Sequence, residues 1–507
     1  MLRVIHTIAS WVLKRRLEQV QHFMDHPQEV QERLFHGLIA ESKHTAWGKT
    51  YGYAGIKDMD TFRAQVPISP YESLYPWIDR AFRGESDVLW PGKVRWFSKS
   101  SGTTNDKSKF IPVTEAALEF CHYKAGQDLL AIYLNERPNS KLFTGKALSM
   151  GGSHAPHPQF SGVNFGDVSA VLTENLPIFY ELVRTPSKDV ALLTDWETKL
   201  EAMVREVMFE DVTSMAGVPT WTLVLLHRLL ERTGLGHIGE LWPNLELYLH
   251  GGVSFDPYRE QFQELIPLPQ MTYLDCYNAS EGFFALQNDL DKRDMLLLLD
   301  YGIFYEFIPM EEFGRDHPRT HTLAEVELGR NYAMVISTNA GLWRYLIGDT
   351  VMFTSTSPYK LKVTGRTKHF INAFGEELMV DNAEVAIAEA SRETQATVVN
   401  YTAAPIFIAG KTRGGHEWLI EFEREPDHLD AFVAILDQTL KAINSDYEAK
   451  RQGDLALGPP KVHVMPPGTF HAWMRQRGKL GGQHKVPRLA NHREYVEDIL
   501  RLVAVSS

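Results

Sequence analysis

The sequence predicts an α/β protein of more than one domain. A large N-terminal domain of mixed sheets, helices and a β-barrel-like subdomain is followed by a small α+β domain. Three observations lead there. At 507 residues the chain is too long for one compact core. Helical periodicity gives way near residue 244 to strand-like runs rich in β-branched and aromatic residues. Near residue 367 the pattern changes again, to helix alternating with strand. These shifts set the expected domains at 1–366 and 367–507, with a hinge at Gly365 to His369.

Taken in order, residues 1 to about 90 read as helices. In the first of them Ile5, Ile8, Val12, Leu17, Val20 and Phe23 share one face. That face packs on its own domain or attaches to a membrane surface; it is too short to span one. Pro27 suits the start of the next helix. "KVRWFS" reads as a strand, and "KFIPV" is too short and proline-bearing for a helix. Thr114 caps the long periodic run that follows. Residues 190–235 are helical with a break at "MAGVPTW". From 244 on, "LELYLHGG", "MTYLDCYNASEG", "DMLLLLDYGIFYEFIP", "LAEVELG", "YAMVISTN" and "WRYLIGDTVMFTS" read as strands between Gly, Asn and Asp turns. In the last domain "EVAIAEAS" and "HLDAFVAILDQTLKAI" are helical, and "HEWLIEFE" is a strand with Trp418, Ile420 and Phe422 on one face.

Composition narrows the partners. A formal net charge of −12 repels phosphate backbones, so general nucleic-acid binding is excluded, although a local basic pocket for one anion is not. Two cysteines, Cys121 and Cys276, rule out a disulfide framework and a cysteine-rich zinc site and fit a reducing cytoplasm. No run reaches the roughly 20 apolar residues that stable membrane insertion needs. His154 and His157 have H-x-x-H spacing, but Pro156 and Pro158 disfavour the helix that would aim both at a metal.

Four stretches carry chemistry. "SKSSGTTNDKSKFIP", from Ser98 to Pro112, offers backbone N–H groups around Gly102, hydroxyls on Ser100, Ser101, Thr103 and Thr104, and charges on Lys107 and Lys109. That set can cradle a polyphosphate; it is equally the composition of a solvated turn. It lies between two strands, unlike a Walker A loop, which opens directly into a helix. In "YNASEG" the carboxylate of Glu281 can take Mg²⁺ alongside phosphates, or the segment is an ordinary strand-end turn. Asp349, after Gly348 in "RYLIGD", can accept both ribose hydroxyls, or form a turn. Lys485, in the glycine-flanked "GKLGGQHKVPRL", can be delivered to a site by a mobile loop, or be solvated.

In this order the four stretches resemble the adenylate-forming superfamily of acyl-CoA synthetases, peptide-synthetase adenylation domains and luciferases. The nearer likeness is to the Gretchen Hagen (auxin-responsive promoter) family of acyl-acid amido synthetases, best known from plants for coupling hormone acids to amino acids. "SSGTTNDKSKFIP" resembles its S-S-G-T-[ST]-x-G-x-x-K-x-x-P loop, with Asp106 where glycine is usual. "YNASEG" resembles Y-x-[SA]-S-E, "RYLIGD" its Y-R-x-x-[VI]-G-D, and "QHKVPR" its Q-[FY]-K-x-P-R; "HGGVSFDPYREQFQEL" also matches. The resemblance implies a ligase that uses ATP and Mg²⁺ to convert a carboxylic acid to an acyl-adenylate. An amine, such as an amino acid, then displaces AMP. It implies that Ser100, Ser101, Gly102, Thr103, Thr104, Lys107 and Lys109 hold the phosphates, and that Asn278, Ala279 and Ser280 line the adenine. Glu281 would hold the metal, Asp349 the ribose, and Lys485 the charge on the α-phosphate. Arg366 would meet the nucleotide as the small domain swings. Val218, Trp221, Gly251, Gly252 and Val253 would line the acyl pocket. An acyl-CoA ligase, or a non-catalytic binder of nucleotide or acyl acid, is the alternative on the same fold; "QHKVPR" departs from the P-x-x-x-x-G-K form of CoA ligases.

Overall fold

The computed structural model describes residues 15–100, 109–252, 255–367, 370–371, 376, 378–406, 414–444, 447–448, 451, 457–479, 485–490 and 492–506. The described part of the chain forms two compact units. One is drawn from Met1–Val253, Gln263–Ile347 and Val351–Lys362. The other is drawn from Ser254–Phe262, Gly348–Thr350 and Val363–Ser507.

In the first unit the opening helix packs on its own domain, as its apolar face requires. Val20 and Phe23 are buried, and Phe23 meets the Tyr301 ring edge-on. Arg16 forks onto the buried carboxylate of Asp128 at 2.6 and 2.8 Å, and the Tyr301 hydroxyl donates to the same carboxylate. Ile5, Ile8 and Val12 lie outside the described residues. Pro27 opens the Pro27–Ser42 helix. No helix among the described residues is long and apolar enough to cross a membrane.

The largest sheet has eleven strands. Its order is Ile303–Pro309, Asn331–Thr338, Tyr345–Thr356, Tyr359–Arg366, Met295–Leu297, Gly282–Leu286, Thr272–Ala279, Leu247–Gly251, Val212–Gly217, Lys146–Ser149 and Arg184–Thr185. From Thr272–Ala279 to Arg184–Thr185 neighbouring strands are parallel; Met295–Leu297 pairs antiparallel on both sides. The strands expected in the barrel-like subdomain are continuous with this sheet, and Met295–Leu297 joins them to the parallel half. Two expectations need correction. The break at "MAGVPTW" holds a strand, Val212–Gly217, at the heart of the parallel half. "LAEVELG" is not a strand but a short helical turn, Leu323–Glu325, closed by reciprocal bonds between Thr322 and Glu325.

A smaller sheet carries Trp96–Ser100 and Lys109–Val113 as an antiparallel pair. Pro112 is tolerated because Lys109–Val113 is an edge strand. In the second unit a three-stranded sheet, Thr397–Ile406, Gly415–Arg424 and Lys461–Met465, is buried on both faces. Trp418, Ile420 and Phe422 pack with the Val380–Thr394 and Leu429–Ile443 helices, and Leu419 packs with Phe470 and Trp473.

Candidate active site

Four parallel strands end at one edge of the large sheet, and three of them lead into candidate residues. Lys146–Ser149, Val212–Gly217, Leu247–Gly251 and Thr272–Ala279 all end there, with Gly217 level with His250 and Gly251 level with Cys276. In open α/β sheets this carboxyl edge is where ligands bind. Val218 caps the Pro219–Thr233 helix, which carries Trp221. Gly251 lies so near the next strand that an added Cβ would stand 2.4 Å from the Cys276 carbonyl oxygen. Gly252 follows with φ +81°. Val253 lies outside the described residues.

Asn278 and Ala279 end their strand, and Ser280 and Glu281 turn it into Gly282–Leu286 as a hairpin, with Ala279 opposite Gly282. Three contacts hold that hairpin. The Ser98 hydroxyl donates to Ser280 Oγ at 2.9 Å, with both residues buried. The Tyr345 hydroxyl lies 3.3 Å from Glu281 Oε1 as its donor. The Phe283 N–H donates to Cys121 Sγ at 3.3 Å. Cys121 reaches this point from Leu118–Tyr123, a π-helical turn inside the helix that Thr114 caps. Such turns insert an extra residue and re-aim side chains. Burial pushes the Cys121 thiol up to about 12, so it serves here as a neutral acceptor.

The strands flanking the serine-rich loop are in register, Ser98 with Ile111 and Ser100 with Lys109. The Phe110 N–H donates to the Tyr71 hydroxyl, and the Lys109 ammonium sits 5.3 Å from the centre of the Tyr71 ring. Ser101, Gly102, Thr103, Thr104 and Lys107 lie outside the described residues. Ser98 thus links the loop's first strand to the Glu281 hairpin, 182 residues along the chain.

The second unit brings together Asp349, Arg366 and Lys485. Gly348 takes φ +91°, a conformation glycine adopts without strain, and its carbonyl accepts from Thr367 N at 2.8 Å. Asp349 pairs with Arg366 Nε at 2.6 Å. Lys485 is held at about 8, below the usual lysine range. Desolvation is the first cause; repulsion from Arg366 and Arg488 adds to it, and Asp349 opposes it. Lys485 as a whole residue is exposed, so water screens part of these effects.

Among the described residues no cluster of three or more His, Cys, Asp or Glu side chains is placed to hold a metal by protein alone. His154 bonds to Glu174 at 3.3 Å instead. Glu281 fits the other mode, in which Mg²⁺ takes one carboxylate and fills its remaining positions with phosphate oxygens and water. Sequence reasoning missed Ser98 and Tyr345. Both lie inside quoted motifs, but only the fold shows their contacts with Ser280 and Glu281.

Models of the GH3 family match three stretches: its N-terminal domain over residues 16–271, its central domain over 296–366 and its C-terminal domain over 381–494. An indole-3-acetic acid-amido synthetase, GH3.3 of Arabidopsis thaliana, is 23% identical over 92% of this chain and 90% of its own. A jasmonoyl-L-amino acid synthetase, JAR6 of Nicotiana attenuata, is 24% identical over 93% and 92%. Among solved structures, the GH3.15 acyl acid amido synthetase superposes with a TM-score of 0.78 over 96% of both chains at 16% identity. A 2-hydroxyisobutyryl-CoA ligase in its postadenylation state superposes at 0.60 over 94% and 92%, at 13% identity. The fold is therefore that of the adenylate-forming enzymes, and the chain belongs to the GH3 family.

Proposed function

We propose that this protein is an ATP-dependent ligase that activates a carboxylic acid as its acyl-adenylate and transfers the acyl group to an amine, an amino acid. The observation that carries this reading is the Ser98–Ser280 bond. It ties the first strand of the serine-rich loop, in the smaller sheet, to the hairpin of Glu281 in the large one, which supports reading the two motifs as parts of one nucleotide site. Family membership and the amido synthetase relatives support the reaction type.

A carboxylate resists nucleophiles because of its charge and resonance, so it must first displace pyrophosphate from ATP. We assign the β- and γ-phosphates to Ser100, Ser101, Gly102, Thr103, Thr104, Lys107 and Lys109. The adenine goes to Asn278, Ala279 and Ser280, and the ribose to Asp349, with Arg366 beside it. Mg²⁺, when held by Glu281 and the phosphates, would offset charge on the α-phosphate. Lys485 meets the charge that builds there as the bond to pyrophosphate breaks. The acid lies along Val218, Trp221 and Gly251 to Val253, where the parallel strands end. We further propose that residues 367–507 act as a small mobile domain carrying Lys485 and turning at Gly365–His369 between half-reactions. Free thiols at Cys121 and Cys276 suit a reducing compartment, and we assign the chain to the cytoplasm.

The test is acid-dependent release of AMP and pyrophosphate across a panel of carboxylic acids, with amino acids or CoA as acceptor. Release completed by an amino acid, with an amide as product, is expected. Turnover completed by CoA alone would make this an acyl-CoA ligase. No release with any acid would leave a binding protein on the same fold.

A further inference from the structure

Lys485 is an exposed residue joined to a segment that is firmly held. Val486, Leu489 and Ala490 are buried, with Leu489 in the core beneath Trp418 and Val486 in the core around Phe470. The same segment lies against Thr397–Ile406, the edge strand of the three-stranded sheet. Thr402 Oγ1 donates to the Pro487 carbonyl at 2.6 Å, Ala403 N donates to the Arg488 carbonyl at 2.9 Å, and Ala490 N donates to the Ala403 carbonyl at 3.0 Å.

Within that segment the Arg488 guanidinium spans three separate pieces of the unit. It donates to the Tyr258 hydroxyl at 2.6 Å, on the short Asp256–Tyr258 turn, and to Asn400 Oδ1 at 2.6 Å and the Tyr401 carbonyl at 3.4 Å, on the edge strand. Its Nε lies 3.3 Å from Glu384 Oε1 on the Val380–Thr394 helix, and its plane sits 4.6 Å from the Tyr401 ring centre. The side chains of Arg488 and Glu384 are 10% and 6% exposed, so the pair is almost fully withdrawn from water. A buried pair of this kind adds little net stability, and its use lies in fixing one arrangement. Only Val486 and Pro487 separate it from Lys485, a reach of at most about 11 Å.

We propose that Arg488 is a positioning residue for Lys485: by locking Tyr258, Asn400 and Glu384 around the root of the lysine segment, it fixes where that ammonium stands. This rests on the ligase reading for the role of Lys485. Only a planar fork satisfies acceptors in several directions while stacking on a ring. A lysine at 488 keeps the charge and loses the geometry.

The test compares the full-length wild type with Arg488→Lys, Thr402→Val and Lys485→Ala. Two measurements are made: acid-dependent ATP–pyrophosphate exchange, and amide hydrogen exchange over residues 486–490. Displacing a catalytic group by about 1 Å costs about 100-fold. Arg488→Lys is therefore expected to lower kcat by about that factor with KM for ATP nearly unchanged, and to speed amide exchange at 486–490. Thr402→Val, which removes one anchor and leaves the guanidinium cage intact, moves both readouts the same way but less. A merely structural role would change melting temperature without the split between kcat and KM. Wild-type kcat in both Arg488→Lys and Thr402→Val, beside a defective Lys485→Ala, overturns the proposal. Absence of exchange activity in the wild type with every acid sinks the ligase reading instead. In that case unchanged amide protection in Arg488→Lys still overturns the positioning role.

Discussion

At the scale of single residues the charge on which the proposed reaction leans most is Lys485. Its ammonium gives up its proton more readily than that of a free lysine. Adenylation that depends on this cation is expected to fall as pH rises through about 8, a limb that pyrophosphate-exchange rates will show and that Lys485→Ala will lack. The sign for folding is opposite. The folded value lies below that of free lysine, so the unfolded chain holds the extra proton between about 8 and 10.5, and this group favours the fold as pH rises. Lost activity over this window is therefore not unfolding driven by Lys485. Replacing the residue by alanine is expected to cost about 3 to 4 kcal/mol of transition-state stabilisation, about 10² to 10³ in kcat, as for an oxyanion-hole donor. A Lys485→Ala enzyme with normal kcat would remove the assignment. Glu281 differs in how it is held. The Tyr345 hydroxyl and the Ser98–Ser280 bond fix its hairpin within one unit, so its geometry needs nothing from the lysine segment.

At the scale of elements, the carboxyl edge of the parallel strands depends on close backbone approach. Gly251 is the sharpest case, because a Cβ there would press on the Cys276 carbonyl, which the Leu247–Gly251 ladder holds in place. Gly251→Ala is expected to destabilise the protein by about 1 to 3 kcal/mol, as overpacking does. It should appear as a lower urea midpoint at unchanged slope; an unshifted midpoint would show that the strands yield without cost. How far these elements were legible in the sequence follows from what each needs. The Pro27–Ser42 helix and the Gly415–Arg424 strand show their periodicity or alternation locally. Val212–Gly217 does not: a short strand flanked on both sides by parallel neighbours lacks alternation, and its Met, Ala and Gly blend into helical flanks. The π-helical turn at Leu118–Tyr123 was likewise invisible, since one extra residue in a long helix leaves its composition unchanged. Glu281, Asp349 and Lys485 stood out as motif residues, whereas Ser98 and Tyr345 gain meaning only from partners far along the chain.

At the scale of the whole molecule, the two units have separate interiors. Trp418, Phe432 and Leu436 centre one core, around the three-stranded sheet and its helices. In the other unit Leu226, Leu247, Leu274 and Phe284 are fully or almost fully buried on and around the large sheet. The second unit is also discontinuous, since Ser254–Phe262 and Gly348–Thr350 belong to it, so the chain crosses between units several times. Separate cores predict separable unfolding, because proteins with more than one domain depart from a single all-or-none transition. Leu436→Ala deletes a fully buried side chain in the second unit, and Leu226→Ala does so in the first. Each is expected to cost about 2 to 5 kcal/mol, which is about 2 to 4 °C per kcal/mol for the second unit and less for the larger first one. In calorimetry of the full chain, Leu436→Ala should lower one transition and leave the other in place, and Leu226→Ala should do the reverse. One transition displaced equally by both substitutions would mean that the crossings fuse the two cores into a single cooperative unit. The turning proposed for residues 367–507 would then have to occur without any loss of cooperativity.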